Sequence, residues 1–442
     1  MIHAFQFEDL NVLLDVESGA MHLLDDAAYQ VVHAAECGED PYALSLPKED
    51  VAEILGELDS LKKNGAYQAE AQQAPEVLGG AAIKSMCLHV AHDCNLRCKY
   101  CFASTGDFHG ERMMMTAETA KKAIDFLIEH SGGRKHLEVD LFGGEPLMNM
   151  PVCKEVVAYG REQEKLHGKH INFTMTTNCV ALDDDSIDFI NREMFNVVIS
   201  LDGRREIHDA LRPTVNGKGS FDIILSKAKK LIENRNSGEY YVRGTFTRNN
   251  LDFLQDVIAL QKEGFDQISI EPVVLPDSSP YSIRETDLPR VFEEYDALAN
   301  YYIQQRKDGE WFNFFHFMLD LDHAPCLRKR ISGCGAGTEY VAVAPNGDIY
   351  PCHQFVGVED WKLGNICTEE FHPEKQQVFT KCNVTTKEKC KTCWAKYHCS
   401  GGCAANAFQF NGSIMTPYEM SCKMMQKRLE CAIGIYLKEK QQ

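Results

Sequence analysis

The sequence predicts an α/β protein centred on a parallel sheet of six strand–helix repeats. Three observations predict it. From Ala82 to about Leu275, strand-like and helix-like patterns alternate six times, which requires parallel strands joined by crossover helices. Six units are too few to close an eight-stranded barrel. The cysteines are unevenly spread: of 18, ten fall between Cys326 and Cys422 and only Cys37 precedes Cys87, so a cysteine-rich unit follows the sheet. The first 75 or so residues hold short β-runs and two helical patterns, set off by the polar stretch Gln68 to Gly80.

Composition narrows the function classes. At 442 residues the chain has core enough for two or three domains, and its 44% hydrophobic and 25% charged content is ordinary for a globular protein. No apolar run approaches the ~20 residues of a membrane span, and the start MIHAFQFEDL has neither the basic nor the apolar region of a signal peptide, so a cytoplasmic protein is expected. The formal charge of −19 disfavours phosphate backbones, so nucleic acid is not an expected partner. Eighteen cysteines without a secretion signal point to metal binding or catalysis rather than disulfides.

At the N-terminus, HAFQF and NVLLDV form an expected β-ribbon broken at Glu8-Asp9. Asp25-Asp26 cap a helix through Ala28, Val31, Val32 and Ala35, and Val51, Ile54, Leu55, Leu58 and Leu61 mark a second helix ending near Gly65. Residues 1–75 are expected to be a separate module.

The organising stretch is CLHVAHDCNLRCKYCF, which places Cys94, Cys98 and Cys101 at CxxxCxxC spacing. Three thiolates this close can cover one face of a metal site but leave a fourth position unfilled. A zinc site would want a fourth ligand; a [4Fe–4S] cube held by three thiolates keeps one iron open. The triplet resembles the motif of the radical SAM enzymes. In that family the open iron chelates S-adenosylmethionine (SAM), whose cleavage gives a 5′-deoxyadenosyl radical that abstracts hydrogen from substrate. Tyr100 matches the family's aromatic position near the adenine. The resemblance implies a TIM-like (β/α)6 partial barrel, open on one side.

Strands are expected at Lys84–His92, Leu137–Phe142, Asn172–Thr177, Asn196–Leu201, Tyr241–Thr247 and Gln267–Val274, with helices over 116–131, 151–166, 183–193, 221–235 and 251–263. Sites in such folds gather at the C-terminal ends of the strands. There the sequence has Gly143-Gly144-Glu145-Pro146, Thr176-Thr177-Asn178, Ser200-Leu201-Asp202-Gly203 with His208, Asp209 and Arg212 downstream, Arg243 and Thr245, and Glu271-Pro272. The GGEP run resembles the family's segment for the SAM ammonium, with Glu145 as acceptor and glycines for close approach. The SLDG run with Arg212 resembles its segment for the ribose and carboxylate. The resemblance thus assigns SAM contacts to Tyr100, Gly143, Gly144, Glu145, Asn178, Ser200, Asp202 and Arg212.

Residues 283–333 read as a helical bridge. Its aromatic stripe, Trp311, Phe312, Phe314, Phe315 and Phe317, is expected in the core. From residue 334 to 442 the cysteines take the order Cys334-x12-Gly347-x4-Cys352, Cys390-x2-Cys393-x5-Cys399-x3-Cys403 and Cys422, with an Asn346-Gly347 hairpin between the first two. Seven thiols exceed one cubane cluster and fall one short of two. This order resembles the SPASM domain of radical SAM peptide-modifying enzymes. The resemblance implies a first auxiliary cluster on Cys334, Cys352 and Cys403 and a second on Cys390, Cys393, Cys399 and Cys422, hence three [4Fe–4S] clusters in all. Either Cys326 completes the first auxiliary cluster or one of its irons is open, the option favoured here. Cys382 is expected to be a plain thiol.

The N-terminal module resembles a winged-helix, PqqD-like domain that binds a leader peptide as an added strand. Barrel residues 76–282, together with the modules flanking them, resemble maturases of ribosomally made peptides, closest to the SCIFF-peptide maturases of the sactipeptide and ranthipeptide type. The resemblance implies thioether cross-links from cysteine sulfur to carbon in a cysteine-rich precursor, with a flavodoxin or ferredoxin as electron donor. Alternatives on the same chassis are formylglycine-type oxidation and carbon–carbon cross-linking.

Overall fold

The computed structural model describes residues 1–65, 82–235, 238–323 and 330–441; the linker Gln68 to Gly80 and Cys326 lie outside them. At the N-terminus, β1 (Ile2–Phe7), β2 (Leu10–Asp15) and β3 (Met21–Leu24) form an antiparallel sheet in the order β1-β2-β3. Helices α1 (Asp26–Cys37) and α2 (Lys48–Lys63) follow. The Asp25 side chain accepts from the Ala28 N–H and starts α1.

This module is not separate. Strand β2 is buried along its whole length. Leu13 packs with Ala4 and Val32 beneath the module's own helices. Phe5, Phe7, Val12, Leu14 and Val16 instead join the main core. Period-2 alternation thus buries both faces, one against α1 and the other against the rest of the chain. His3 stacks on Trp394 with ring centroids 3.9 Å apart, and the buried Glu17 pairs with Lys396 at 2.5 Å.

The central sheet runs β4 (Ser85–His92), β6 (His136–Gly143), β7 (His170–Thr177), β8 (Met194–Ser200), β9 (Tyr240–Phe246) and β10 (Gln267–Pro272), all parallel, with the two-residue β5 (Met113–Met114) antiparallel on β4. Between them come α3 (Ala117–His130), α4 (Met150–His167), α5 (Asp184–Glu193), α6 (Arg205–Leu211), α7 (Phe221–Glu233) and α8 (Leu254–Lys262). The sheet is the partial TIM-like barrel expected. Val139, Leu141, Ile171, Phe173, Met175, Val197, Ile199 and Val242 are fully buried. The alternate positions Asp140, Thr176, Ser200, Arg243, Thr245 and Glu271 face a cavity instead.

Two edges differ from expectation. After α9 (Leu288–Lys307) the bridge is not helical throughout: β11 (Asn313–Phe314) pairs parallel with β10, and Phe315–Phe317 is a single 3₁₀ turn. Phe312, Phe314 and Phe317 are buried, but Trp311 and Phe315 are half exposed, so the aromatic stripe is only partly core. The chain extends here because the Asn313 side chain bonds to Gln267 while Phe314 fills the space beside β10. At the other edge β12 (Tyr340–Val343) pairs parallel with β4, and β13 (Asp348–Tyr350), β14 (Gly364–Asn365) and β15 (Glu370–Phe371) continue antiparallel. The cysteine-rich unit is therefore continuous with the barrel sheet. Its helices are α10 (Pro373–Thr380), α11 (Glu388–Lys391), α12 (Lys396–Cys399), α13 (Ala404–Asn411) and α14 (Glu419–Lys440).

Candidate active site

Strand β4 is buried at every residue and delivers the cysteine loop to the C-terminal end of the sheet. The loop is fastened on both sides. Arg97 N–H donates to Pro213 O and Lys99 N–H to Leu211 O, each at 2.8 Å, which ties it to the segment carrying Arg212. On the other side Gly144 N–H donates to Ala91 O and Glu145 N–H to Asp93 O. A Cβ on Gly143 would lie 2.2 Å from Ala91 O, and one on Gly144 2.2 Å from Asp93 O. The paired glycines are thus required by the approach of the loop's own backbone.

A cavity of about 540 Å³ opens at this end. Cys94, Cys98, Cys101, Tyr100, Gly143, Gly144, Glu145, Asn178, Ser200 and Arg212 all line it. Asn178 Nδ2 lies 3.6 Å from Cys94 Sγ and donates to Asn95 Oδ1 at 2.8 Å. Burial pushes the Cys94 thiol up to about 12 and the Cys98 thiol up to about 11; a bound metal cation would pull both down toward the thiolate.

Two expected SAM contacts sit differently. Asp202 does not line the cavity; it lies behind Tyr100 and Arg212. The Tyr100 hydroxyl is 2.8 and 2.7 Å from its two oxygens, Thr245 N–H donates to it, and Arg212 Nη1 donates to the Tyr100 oxygen at 2.8 Å. Burial raises Asp202 to about 6, against the pull of Arg212. Glu145 reaches the cavity, but Oε1 accepts from Thr177 Oγ1 at 2.7 Å and Leu147 N–H at 3.1 Å, and Oε2 from Asn178 N–H at 2.7 Å. One carboxylate thereby locks the end of β7 to the end of β6. SLDG and GGEP mark these residues by spacing, which carries no information on their tertiary partners.

The later cysteines fall into two groups. Burial and the neighbouring Cys403 and Cys334 thiols push Cys352 up to about 12. Burial and the Cys399, Cys390 and Cys393 thiols, with Glu419, do the same to Cys422. Cys403 N-caps α13 and opens onto the same cavity as the Cys94 triplet. Cys382, expected as a plain thiol, stands beside Cys334 and Lys387, and donates to Ile414 O at 3.2 Å. Among the described residues no three His, Cys, Asp or Glu side chains converge on a single metal ion.

Residues 88–276 match the radical SAM superfamily, and residues 334–394 match an iron–sulfur cluster-binding domain, SPASM. The chain carries a radical SAM domain and a SPASM domain. It is 26% identical over 341 residues to a cysteine-type anaerobic sulfatase-maturating enzyme of Clostridium novyi, covering 71% of this chain and 86% of that one. A structure of anSMEcpe with bound AdoMet superposes with a TM-score of 0.65 at 21% identity, over 79% of this chain and 96% of the other. Streptococcus suis SuiB bound to precursor peptide SuiA gives a TM-score of 0.54 at 17% identity, over 94% and 97%. These likenesses show a shared fold.

The radical SAM domain implies SAM and a [4Fe–4S] cluster, and the SPASM domain implies auxiliary iron–sulfur clusters. The residues fit both. Beside the Cys94 triplet, Arg212 is buried with its Nε unpartnered, a donor left for a ligand. In the SPASM domain, Gln426 Nε2 lies 3.6 Å from Cys393 Sγ, a donor of the kind that supports cluster sulfur.

The cavity also holds groups that motif spacing missed. Asp140 sits mid-strand on β6, where it reads as one polar step of an alternation. It accepts from Thr174 Oγ1 at 2.9 Å, and burial raises it to about 6. Tyr340 and His353 line the cavity on the same side as Asp140, their Oη and Nδ1 3.1 Å apart. Burial lowers His353 to about 4, which keeps it neutral. Arg243 and Glu271, 3.4 Å apart, complete a charged rim.

Proposed function

We propose that this chain is a radical SAM maturase that installs thioether cross-links, from cysteine sulfur to carbon, in a ribosomally made cysteine-rich precursor peptide. The observation that carries the reading is the shared cavity: the Cys94 triplet and Cys403 open onto one space. A substrate thiol beside Cys403 and a substrate carbon beside the triplet would be near neighbours.

Cys94, Cys98 and Cys101 would hold the SAM-binding cluster; with SAM bound, that cluster supplies a 5′-deoxyadenosyl radical that takes hydrogen from carbon. Arg212 and Tyr100, steadied by Asp202, would hold SAM, with Gly143, Gly144, Glu145, Asn178 and Ser200 shaping its seat. Cys334, Cys352 and Cys403 would hold the first auxiliary cluster, whose three protein ligands leave one iron for a substrate thiolate. Cys390, Cys393, Cys399 and Cys422 would hold the second, giving three [4Fe–4S] clusters with flavodoxin or ferredoxin as donor. Asp140 would take the proton of the incoming thiol. Substrate and SAM together would fill the cavity and keep water from the reacting carbon.

We assign residues 1–75 to leader recognition, 76–282 to the core, 283–333 to a bridge and 334–442 to the SPASM unit. The leader would add to β3, whose outer edge pairs with no strand among the described residues. SuiB, similar over nearly the whole chain, has been solved bound to its precursor peptide SuiA, which supports a peptide substrate. The sulfatase-maturating relative supports a second reading, formylglycine-type oxidation of a cysteine.

Tandem mass spectrometry of a co-expressed precursor separates the two. A thioether removes two hydrogens and one alkylatable thiol per link and joins two residues. A carbonyl-reactive product with no cross-link would establish the second reading instead.

A further inference from the structure

Lys387 is the N-cap of α11, the helix that presents Cys390, and is an unusual residue to find there. It is 2% exposed, among the largest fully buried side chains of the molecule. Its Nζ donates to Gly401 O at 2.8 Å. Gly401 lies in the turn between Cys399 and Cys403, so this one bond ties the start of α11 to the segment that feeds both SPASM cysteine groups. Lys387 O in turn accepts from Cys390 N–H at 2.9 Å. Lys387 also stands beside Cys382, which neighbours Cys334. Its charge acts on Cys390 of one group and on Cys403 of the other.

Among the described residues no aspartate or glutamate forms an ion pair with Lys387. The neighbouring lysines differ: Lys389 pairs with Glu419, Lys391 with Glu388 and Lys396 with Glu17. A buried ammonium without a counter-anion is strongly disfavoured. The protein groups around it are a carbonyl and thiols. A cube carrying three or four thiolates is net anionic, and cluster potentials follow net charge and hydrogen bonding at the sulfurs.

We propose that Lys387 is the shared counter-charge of the two auxiliary clusters, a positioning residue that raises the reduction potential of both. This rests on the assignment of the SPASM cysteines as cluster ligands. Fixed positive charge between the clusters favours their reduced forms, so each can accept the electron released when a substrate bond forms. Lys387 does not line the cavity at the Cys94 triplet, so the SAM-binding cluster serves as an internal control.

The test is an anaerobic redox titration of the holoenzyme, followed by electron paramagnetic resonance, in wild type, Lys387→Met and Lys387→Arg. The expected result is a fall in the midpoints of both auxiliary clusters in Lys387→Met by about 59 mV or more, the one-electron equivalent of tenfold. The SAM-binding cluster stays unchanged and Lys387→Arg recovers most of the shift. Where Lys387→Met fails to retain its auxiliary iron, Lys387→Gln, which keeps a donor for Gly401 O, is titrated in its place. Unchanged auxiliary midpoints, or an equal shift in all three clusters, would overturn the proposal. Wild-type protein with only one cluster's iron would remove the ligand assignment beneath it, and the proposal with it.

Discussion

The Tyr100 hydroxyl lies 2.8 and 2.7 Å from the two oxygens of the buried Asp202 carboxylate. In the proposed site Asp202 would act on SAM through Tyr100 and Arg212. The expected outcome for Asp202→Asn is SAM affinity weakened roughly 10- to 100-fold, the worth of a buried hydrogen bond to a charged group, with iron content unchanged. Equilibrium binding of SAM to the anaerobic protein measures the first and iron analysis the second; unaltered affinity would detach Asp202 from SAM.

Asp140 supplies a pH dependence. Burial raises its carboxyl to about 6, so it is neutral below that pH and ionised above it. If it takes the thiol proton, cross-linking rises with pH through about 6 and then levels off. Asp140→Asn should slow cross-linking at least tenfold and erase that limb, while deoxyadenosine formation without coupling persists. A limb that survives in the variant belongs to another group.

Leader recognition by strand addition makes the edge strand β3 the place to interfere. Leu23 is 48% exposed on it. Leu23→Asp should weaken precursor binding about tenfold, the loss of one well-buried apolar contact, and leave peptide-free SAM cleavage intact. Fluorescence anisotropy of a labelled leader reads this directly. Equal affinity would place the leader elsewhere.

The Glu17–Lys396 pair joins the N-terminal module to the start of α12, the helix that carries Cys399. Both side chains are buried, and Tyr397 Oη also donates to Glu17 at 2.8 Å. Glu17→Gln strands a buried ammonium and should cost about 3–5 kcal/mol, visible as a lower denaturant midpoint. A loss below 1 kcal/mol would mean that water reaches the pair.

Local spacing made much of the site legible. CxxxCxxC, GGEP and SLDG each belong to one loop, and the six strands were readable from the alternation of strand-like and helix-like runs. What escaped depends on distant partners. Strand β11 is two residues long within an aromatic run, too short for any period to register. The pairing of β12 with β4 joins segments some 250 residues apart, and strand register across such a gap leaves no local signal. The N-terminal module looked self-contained because the residues that receive Phe7, namely Gly434 and its helix, come at the far end of the chain. Asp140 and Lys387 are single polar residues whose burial only the tertiary fold reveals.

The most direct test of the account is the iron content of anaerobically reconstituted protein, compared between wild type and a variant with Cys94, Cys98 and Cys101 all changed to Ala. Three cubes predict about twelve irons per chain falling to about eight, with deoxyadenosine formation lost. A wild type holding zinc, or about four irons that vanish with the triplet, would contradict the assignment of the later cysteines. An iron count that the triple substitution leaves unchanged would contradict the assignment of the triplet itself.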